Sequence, residues 1–510
     1  MKKCIIIGSG LGGLSCGVIL ARNGYHVTVL EQGEQAGGCL QSFWRRGAKF
    51  ETGMHFIGSA LKGQMLHPIL HYLQLHNLPL SQLDTAGYDI ISLPEGRFAL
   101  ANGHEPFVQT LTNSFPKEKD NLHRYLNVVE QMAQLASLYA PQTPSQTPLL
   151  AQIRAQYQAL SIDQALDRLI GHPLLRNVLV GNLPLYAGER GRTPFYNHAF
   201  ITNSYNQGTF RVAGGSDIIA QRLIQGIEQW GGRVLTQRRV ARILCNNSRA
   251  TGVITAQEEH FDADIIVAAV HPTLTMAMLN DTSLMRPAFR QRMLNLPNTT
   301  GVFTLYLKFR PQTMPYRNHN LYGYATNSPW DSMQYTRENW PQGFLYLHLC
   351  DALAHNASHK ATPQWATSAE ILAPMRYEDV AQWANTNVQQ RGDEYQAFKR
   401  ERAERLIDAV ERHAPGLRQA IECYFTSTPL TYQHYTATPE GSMYGVAKDV
   451  TLGMACHVPH RTRIPNLFFA GQNLNGHGML GTLVGTLITC QEVLGAPSLQ
   501  LQGDALMGNE

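Results

Sequence analysis

A run of three isoleucines, Ile5-Ile6-Ile7, enters a glycine turn, Gly8-Ser9-Gly10-Leu11-Gly12-Gly13, and an acid, Glu31, ends the next apolar strand, His26-Val27-Thr28-Val29-Leu30. Gly8 permits the tight turn, Gly10 lets a pyrophosphate approach the backbone, and Gly13 lets helix and strand pack closely. The N–H groups that open the following helix then face the phosphates at the positive end of its dipole. Glu31 is placed to accept hydrogen bonds from ribose hydroxyls. Strand, turn, helix and acid together predict the first βαβ unit of a dinucleotide-binding fold. They do not by themselves distinguish NAD from FAD.

One such unit cannot account for 510 residues. Single hydrophobic cores stop growing at roughly 250–300 residues, so two or more domains are expected. An apolar fraction of 44% with 16% charged residues describes a soluble globular chain with a low-charge surface. Its 42 Lys and Arg against 38 Asp and Glu leave +4, too little to imply nucleic acid, and no basic block is interleaved with aromatics. The cysteines (Cys4, Cys16, Cys39, Cys245, Cys350, Cys423, Cys456 and Cys490) are scattered without a CxxC pair, so neither zinc nor a redox dithiol is suggested. Scattered thiols favour a reducing compartment. The first strand starts near residue 3, leaving no room for a signal peptide, and no apolar run reaches the roughly 18 residues of a membrane-spanning helix. The expectation is a cytoplasmic protein, or one bound peripherally to a membrane.

Along the chain, residues 14–23 read as a helix and 47–58 as a short extended stretch. Residues 88–93 and 98–100, with Pro94-Glu95-Gly96 between them, read as a hairpin. Helical patterns dominate from about 105 to 200, broken by the Pro-, Thr- and Gln-rich stretch 141–148. Gly214-Gly215-Ser216 opens a helix over 217–230, which ends at Gly231-Gly232 before a strand at 233–236. A meander over 240–256 and a buried strand over 263–270 follow, the latter leading into His271-Pro272. Residues 300–310 and 343–350 are strand-like, and 394–413 form a long charged helix. The chain closes on Leu467-Phe468-Phe469-Ala470-Gly471-Gln472-Asn473 and Gly478-Met479-Leu480-Gly481, a strand running into a glycine turn and an apolar helix. That is a second helix N-terminus suited to a ligand of negative character.

Five of these stretches together resemble the FAD-dependent oxidoreductases of the phytoene desaturase, carotenoid isomerase and retinol saturase type. They are the opening fingerprint; Gly37-Gly38 with Phe50-Glu51-Thr52-Gly53-Met54-His55-Phe56-Ile57-Gly58; the Gly214 helix; the Val240 strand with the strand ending at His271-Pro272; and the closing turn. Pro439-Glu440-Gly441-Ser442-Met443-Tyr444-Gly445 is similar to the saturase and isomerase branch. The resemblance implies an α/β fold. A discontinuous FAD/NAD(P)-binding Rossmann-like domain of glutathione-reductase type (1–85, 206–290 and 420–500) would interleave with an α+β substrate domain (86–205 and 291–419). It also implies the cofactor site. Gly8, Ser9, Gly10, Leu11 and Gly13 surround the pyrophosphate, and Glu31, with Gln32 beside it, serves the adenosine ribose. Gly38 passes the ribityl chain and Val240 meets the adenine through its backbone. Gly471 and Gln472 approach the pyrophosphate and ribityl, and Met479 and Leu480 lie beside the flavin's pyrimidine edge. Two positions depart from the pattern: Cys39 stands where many relatives carry a basic residue, and Gln472-Asn473 where an acid is common.

The implied activity is hydride transfer at flavin N5 on carbon–carbon double bonds of a polyene or isoprenoid-like lipid, by reduction, desaturation or isomerisation, with NAD(P)H as a possible electron donor. An amine or protoporphyrinogen oxidase on the same fold is the alternative. A non-enzymatic prenyl-lipid carrier resembling the Rab GDP-dissociation inhibitors is a further one. His55 is the first candidate for a catalytic polar group near the flavin, against a structural histidine bonded to backbone. His477 and Tyr444 are weaker candidates, and Glu440 reads better as a loop acid. His198 and Tyr205 suit either a substrate cavity or the core. So do the aromatic and methionine residues Phe195, Tyr196, Phe200, Phe210, Met276 and Met278. No metal site is expected. The arginine-rich apolar stretch 284–294 suits either a membrane surface or a solvated helix.

Overall fold

Apolar runs without polar alternation belong to strands covered on both faces. The computed structural model describes residues 1–136, 148–246, 248–349 and 364–495. In it the runs form one parallel sheet in the order Arg233–Leu235, His26–Leu30, Lys3–Ile7, Ile265–Ala268, Leu467–Phe469. Ile5 lies opposite Thr28 on one side and Ile266 on the other, and Val267 opposite Phe468. The first helix, Leu11–Arg22, begins earlier than its apolar pattern suggested, at the glycine turn itself. It is buried from Gly12 to Ala21, because it packs against the sheet and against helices Asp217–Gln229 and Gly478–Leu494. The Val240–Cys245, Ala250–Thr255 and His260–Asp262 meander stands apart as a separate antiparallel sheet.

The second body is a seven-stranded sheet: Ile421–Ser427, Gly301–Phe309, Ser368–Met375, Gly343–Leu349, Asn320–Tyr324, Asp89–Leu93, Gly96–Leu100. Only Asn320–Tyr324 and Asp89–Leu93 pair in parallel; the hairpin Asp89–Leu93/Gly96–Leu100 forms as its sequence indicates. Strand alternation divides the faces. Phe303, Leu305, Ile371 and Ala373 pack with Leu406, Ile407 and Val410 of helix Gly392–Glu411. Val302, Leu345, Leu372 and Pro374 point the other way, into a cavity between the two bodies. Helices Lys119–Ala136, Ile162–Leu169 and Phe195–Gln207 build a further core over part of that face.

One expectation is corrected, and one open choice is decided. Ile421–Ser427, assigned from residue 420 onward to the nucleotide-binding segments, is an edge of the seven-stranded sheet, paired with Gly301–Phe309. Its mostly half-buried residues suit an edge rather than the doubly covered parallel sheet. The stretch 284–294 turns its apolar side chains inward, Met285 and Met293 being buried in the core with Phe289 and Leu294 packed beside them. His198 is wholly buried between two tyrosines, Tyr125 Oη at 2.7 Å and Tyr186 Oη at 3.0 Å, and burial pushes it down to about 3. It is a neutral core residue. Residues 141–147 of the Pro-rich stretch lie outside the described residues. Among the described residues no helix is long and apolar enough to cross a membrane.

The hairpin also buries an acid. Asn320 Nδ2 donates to Asp89 Oδ1 at 2.9 Å, and Arg211 donates to Asn320 Oδ1 at 3.0 Å. Burial pushes the Asp89 carboxyl from 3.8 up to about 7, with hydrogen bonds from Asn320 and Asn182 pulling the other way. A carboxyl whose folded value is raised contributes stability that is full below its unfolded value and lost as pH rises through the folded one. Asp89→Asn should therefore melt above the parent at alkaline pH and converge with it in acid, as read by thermal melts across that range. A variant less stable at every pH would overturn this.

Candidate active site

The opening turn is held by the acid that follows it. Gly8 has φ +95°, and its N–H donates to Leu30 O at 2.9 Å. Ser9 N–H and Oγ both donate to Glu31 Oε2, at 3.0 and 2.5 Å, while Gly33 N–H donates to Oε1 at 2.8 Å. Glu31 thus shapes the turn while still facing the cavity. A Cβ on Gly13 would stand 2.0 Å from Gly8 O, whereas one on Gly10 would meet nothing within 4 Å. Gly13 closes the helix onto the strand; Gly10 leaves open the approach a phosphate needs.

This turn edges a cavity of about 710 Å³ running to the apolar wall of Val302, Leu345, Leu372 and Pro374. Of the expected cofactor residues, Gly8, Ser9, Gly10, Leu11, Glu31, Gln32, Gly38, Val240, Gly471, Gln472 and Met479 line it together. Gly13 does not, being covered by the turn. Leu480 does not either: it is 5% exposed and packs into the nucleotide-domain core, since the helix turns its face away one residue after Met479. Tyr205 and Tyr444 line the cavity. Tyr444 Oη donates to Pro184 O at 3.0 Å, and its ring stacks on His477 at 4.2 Å. His477 lies behind it, its Nε2 bonded to Leu185 O at 3.0 Å, and burial pushes it down to about 4. Glu440 is exposed on a turn and remains a loop acid. Sequence reading missed Arg238, His271, Tyr432 and Tyr435, all on the cavity wall. Of these only His271, at the end of the Val270-His271-Pro272 strand, lies in a stretch that carried a signal.

Two helix N-termini meet this one cavity. Helix Leu11–Arg22 starts at Gly10 and helix Gly478–Leu494 at His477; neither has a side-chain cap or an acid in its first turn. Their free N–H groups and dipoles are left for a ligand. A diphosphate at the first and an electron-rich ring at the second fit these ends. The cavity between them matches a FAD in its polar and apolar parts.

His55, on the wall of the cavity, is not bonded to backbone. Its Nε2 lies 2.6 Å from Glu370 Oε2, with the side chains 8% and 0% exposed. Glu370 stands on the cavity face of its strand, two residues from Leu372, and its Oε1 accepts the Glu51 N–H at 2.7 Å. The Glu51 carboxyl meets Ser42 Oγ at 3.0 Å and Ser216 through both its N–H and Oγ. Burial pushes Glu51 up to about 7, the Ser216 hydrogen bond opposing and the nearby Glu370 adding. Glu370 lies far from His55 in sequence, so no motif could announce it.

A parallel nucleotide-binding sheet with two uncapped helix ends on one cavity, and a second sheet closing its far side, defines a flavin-dependent oxidoreductase. The chain belongs to the flavin-containing amine oxidoreductase family, whose pattern matches residues 11–494, and FAD is its cofactor. It is similar over nearly its whole length to all-trans-retinol 13,14-reductase from Homo sapiens, 27% identical across 96% of this chain and 85% of that one. It is also similar to 4,4'-diaponeurosporene oxygenase from Staphylococcus aureus, 24% identical across 94% and 95%. Among solved structures it shares its fold with putrescine oxidase (TM-score 0.62, 16% identical, 97% of this chain and 99% of that one). An oxidoreductase from Methanosarcina mazei shares it too (TM-score 0.59, 16% identical, 96% and 100%).

The two glycines separate binding from folding. Gly10→Val is expected to lose the flavin absorption band after gel filtration while the apoprotein melts with the parent. Gly13→Val should lose both flavin and stability, by several kcal/mol of overpacking. Equal melting of the two apoproteins would refute the distinction.

Proposed function

We propose that the protein is a FAD-dependent oxidoreductase acting on carbon–carbon double bonds of an apolar polyene or isoprenoid-like lipid, in the saturating direction. NAD(P)H is the class of electron donor. The observation that carries this is the wall beyond the cofactor residues: Phe56, Val302, Leu345, Leu372, Pro374 and Met443 surround its far end. Among the described residues the one carboxylate lining the cavity, Glu31, belongs to the fingerprint turn. A cationic amine would find no acid lining the wall there, which favours a polyene over the amine-oxidase reading. The reductase and carotenoid-oxygenase relatives support the same substrate class.

FAD, when bound, supplies two-electron hydride chemistry. The chain's own residues do the rest. The apolar wall aligns an extended hydrocarbon and excludes water. The N-terminus of helix Gly478–Leu494 offers its dipole to negative charge. The Glu31–Ser9 bonds hold the turn rigid. His55 is the group we assign to proton movement at the reacting carbons: its Nε2 is engaged by Glu370, which leaves Nδ1 for the cavity.

Anaerobic incubation of the reduced holoenzyme with a panel of polyenes and retinoids tests the reading by product mass. A gain of two hydrogens is expected, and His55→Gln should slow it by about two orders of magnitude, as for loss of a general acid, with the flavin spectrum unchanged. Loss of two hydrogens or isomerisation would reverse the assigned direction. No change with any lipid, alongside turnover of an amine, would overturn the substrate class.

A further inference from the structure

A lipid-filled cavity poses a proton problem. Each reduction that places a proton on carbon leaves its donor one proton short, and the cavity cannot admit water while substrate occupies it. The replacement must come from behind the donor, and behind His55 there is a buried polar cluster.

Counting hydrogens shows what that cluster holds. Ser42 Oγ lies 3.0 Å from Glu51 Oε2 and 3.0 Å from Asp217 Oδ1. Ser216 Oγ lies 3.0 Å from Leu40 O and in close contact with Glu51 Oε2. Two hydroxyls have two hydrogens for these four contacts. Leu40 O can only accept, and so can Asp217 while it is paired with Lys49 at 2.7 Å. If Ser42 donates to Asp217 and Ser216 to Leu40, both hydroxyl oxygens turn their lone pairs toward Glu51, which then needs a proton of its own to bond either one. A neutral Glu51 acid satisfies one more contact than a carboxylate can.

We propose that Glu370 is the positioning carboxyl of His55, and that Glu51, kept as a neutral acid, is the proton reserve of that pair, refilled through Ser42 from the Asp217–Lys49 edge. The proposal rests on the role given above to His55. The contacts run from cavity to solvent edge in two parts: His55 to Glu370 at 2.6 Å, with Glu370 also accepting the Glu51 backbone N–H at 2.7 Å, and the Glu51 carboxyl through Ser42 to Asp217 and Lys49, each 16% exposed. Burial, which pushes Glu51 up to about 7, agrees with the hydrogen count. The other titratable groups facing Glu370 are the Tyr306 and Tyr432 phenols, both pushed up by burial and so neutral. In the cycle Glu51 gives its proton to the His55–Glu370 pair, so that His55 carries a hydrogen on Nδ1 as well as on Nε2; the Nδ1 hydrogen passes to carbon, leaving Nε2–H toward Glu370; and water, by way of Ser42, returns a proton to Glu51. No electrons move among these residues; the hydride equivalent comes from the reduced flavin. No direct hydrogen bond joins the two carboxyls, so the middle transfer takes a turn of the Glu51 side chain.

Two spectroscopic readouts on the substrate-free holoenzyme test this apart from any lipid. In histidine labelled with ¹⁵N, the His55 signal, assigned by its loss in His55→Gln, should show the proton on Nε2. Glu370→Gln should abolish that preference, and Glu370→Asp should keep part of it. In the infrared, a protonated-carboxyl band should fade as pH rises through about 7 and be missing from Glu51→Gln. In turnover, Glu370→Gln should lower kcat by on the order of a hundredfold with KM little changed, and Glu51→Gln should remove the limb near neutrality from the kcat profile. No carboxyl band below neutral pH in the parent, or a His55 tautomer indifferent to Glu370, overturns the proposal even if polyenes are reduced. If the spectra hold while no polyene reacts, the substrate reading fails and the proton cluster stands. Should a Gln variant lose its flavin, the band that remains in Asp89→Asn, which removes the other buried carboxyl pushed up to about 7, and its pH dependence decide the matter.

Discussion

The structure depends on one strand being hydrogen-bonded along both edges in parallel. Lys3–Ile7 pairs with His26–Leu30 on one side and Ile265–Ala268 on the other. A parallel neighbour cannot be reached by a tight turn, so each partner must be fetched by a crossover. The chain fetches the first through helix Leu11–Arg22. Before the second it builds the hairpin and helices of the second body, and after the second the other strands of that body's sheet. The last strand, Leu467–Phe469, arrives only near the end of the described chain. The cavity lies on the seam this produces, and its two helix N-termini come from opposite ends of the sequence. Their meeting is close: a Cβ on Gly12 would stand 2.6 Å from Gly471 Cα.

The seam also sorts the electrostatics. On the nucleotide side, backbone N–H groups and helix dipoles at the two turns supply positive potential, and Arg238 and Arg239 add formal charge along the same lining. On the far side much of the lining is hydrocarbon. The carboxyls on that side are kept beneath the surface: Glu370 and Glu51 lie under the wall, and His55 reaches through it. A buried carboxyl without partners would be costly. Here each has serines, a backbone N–H or an imidazole within hydrogen-bond distance.

Much of the first domain was legible because its signals are local. Gly8 to Gly13, Glu31, Gly38 and the closing Gly471 turn each declare a backbone conformation or an acid at fixed spacing, and all but Gly13 line the cavity. Where the reading went astray, the cause was direction or pairing. Leu480 is adjacent to Met479 but faces the core, a consequence of helical rotation. Ile421–Ser427 reads as a generic strand, and only the free edge of Gly301–Phe309 decided which sheet it joined. His198 stayed open between cavity and core in the sequence, because the burial that neutralises it is invisible in one dimension.

The sequence by itself determined that a dinucleotide site opens the chain, that the fold alternates strand and helix, and that a second glycine turn closes it. These follow from φ, period and spacing, which are properties of neighbouring residues. Only the tertiary structure decided that His55 rests on Glu370, that Glu51 lies behind them with more acceptors than hydrogens, and that the far wall is apolar. Those facts depend on side chains more than 150 residues apart, Glu51 with Ser216 and His55 with Glu370, brought together by sheet pairing. No local pattern encodes that separation, because burial and hydrogen-bond partnership are decided by what the rest of the chain places alongside.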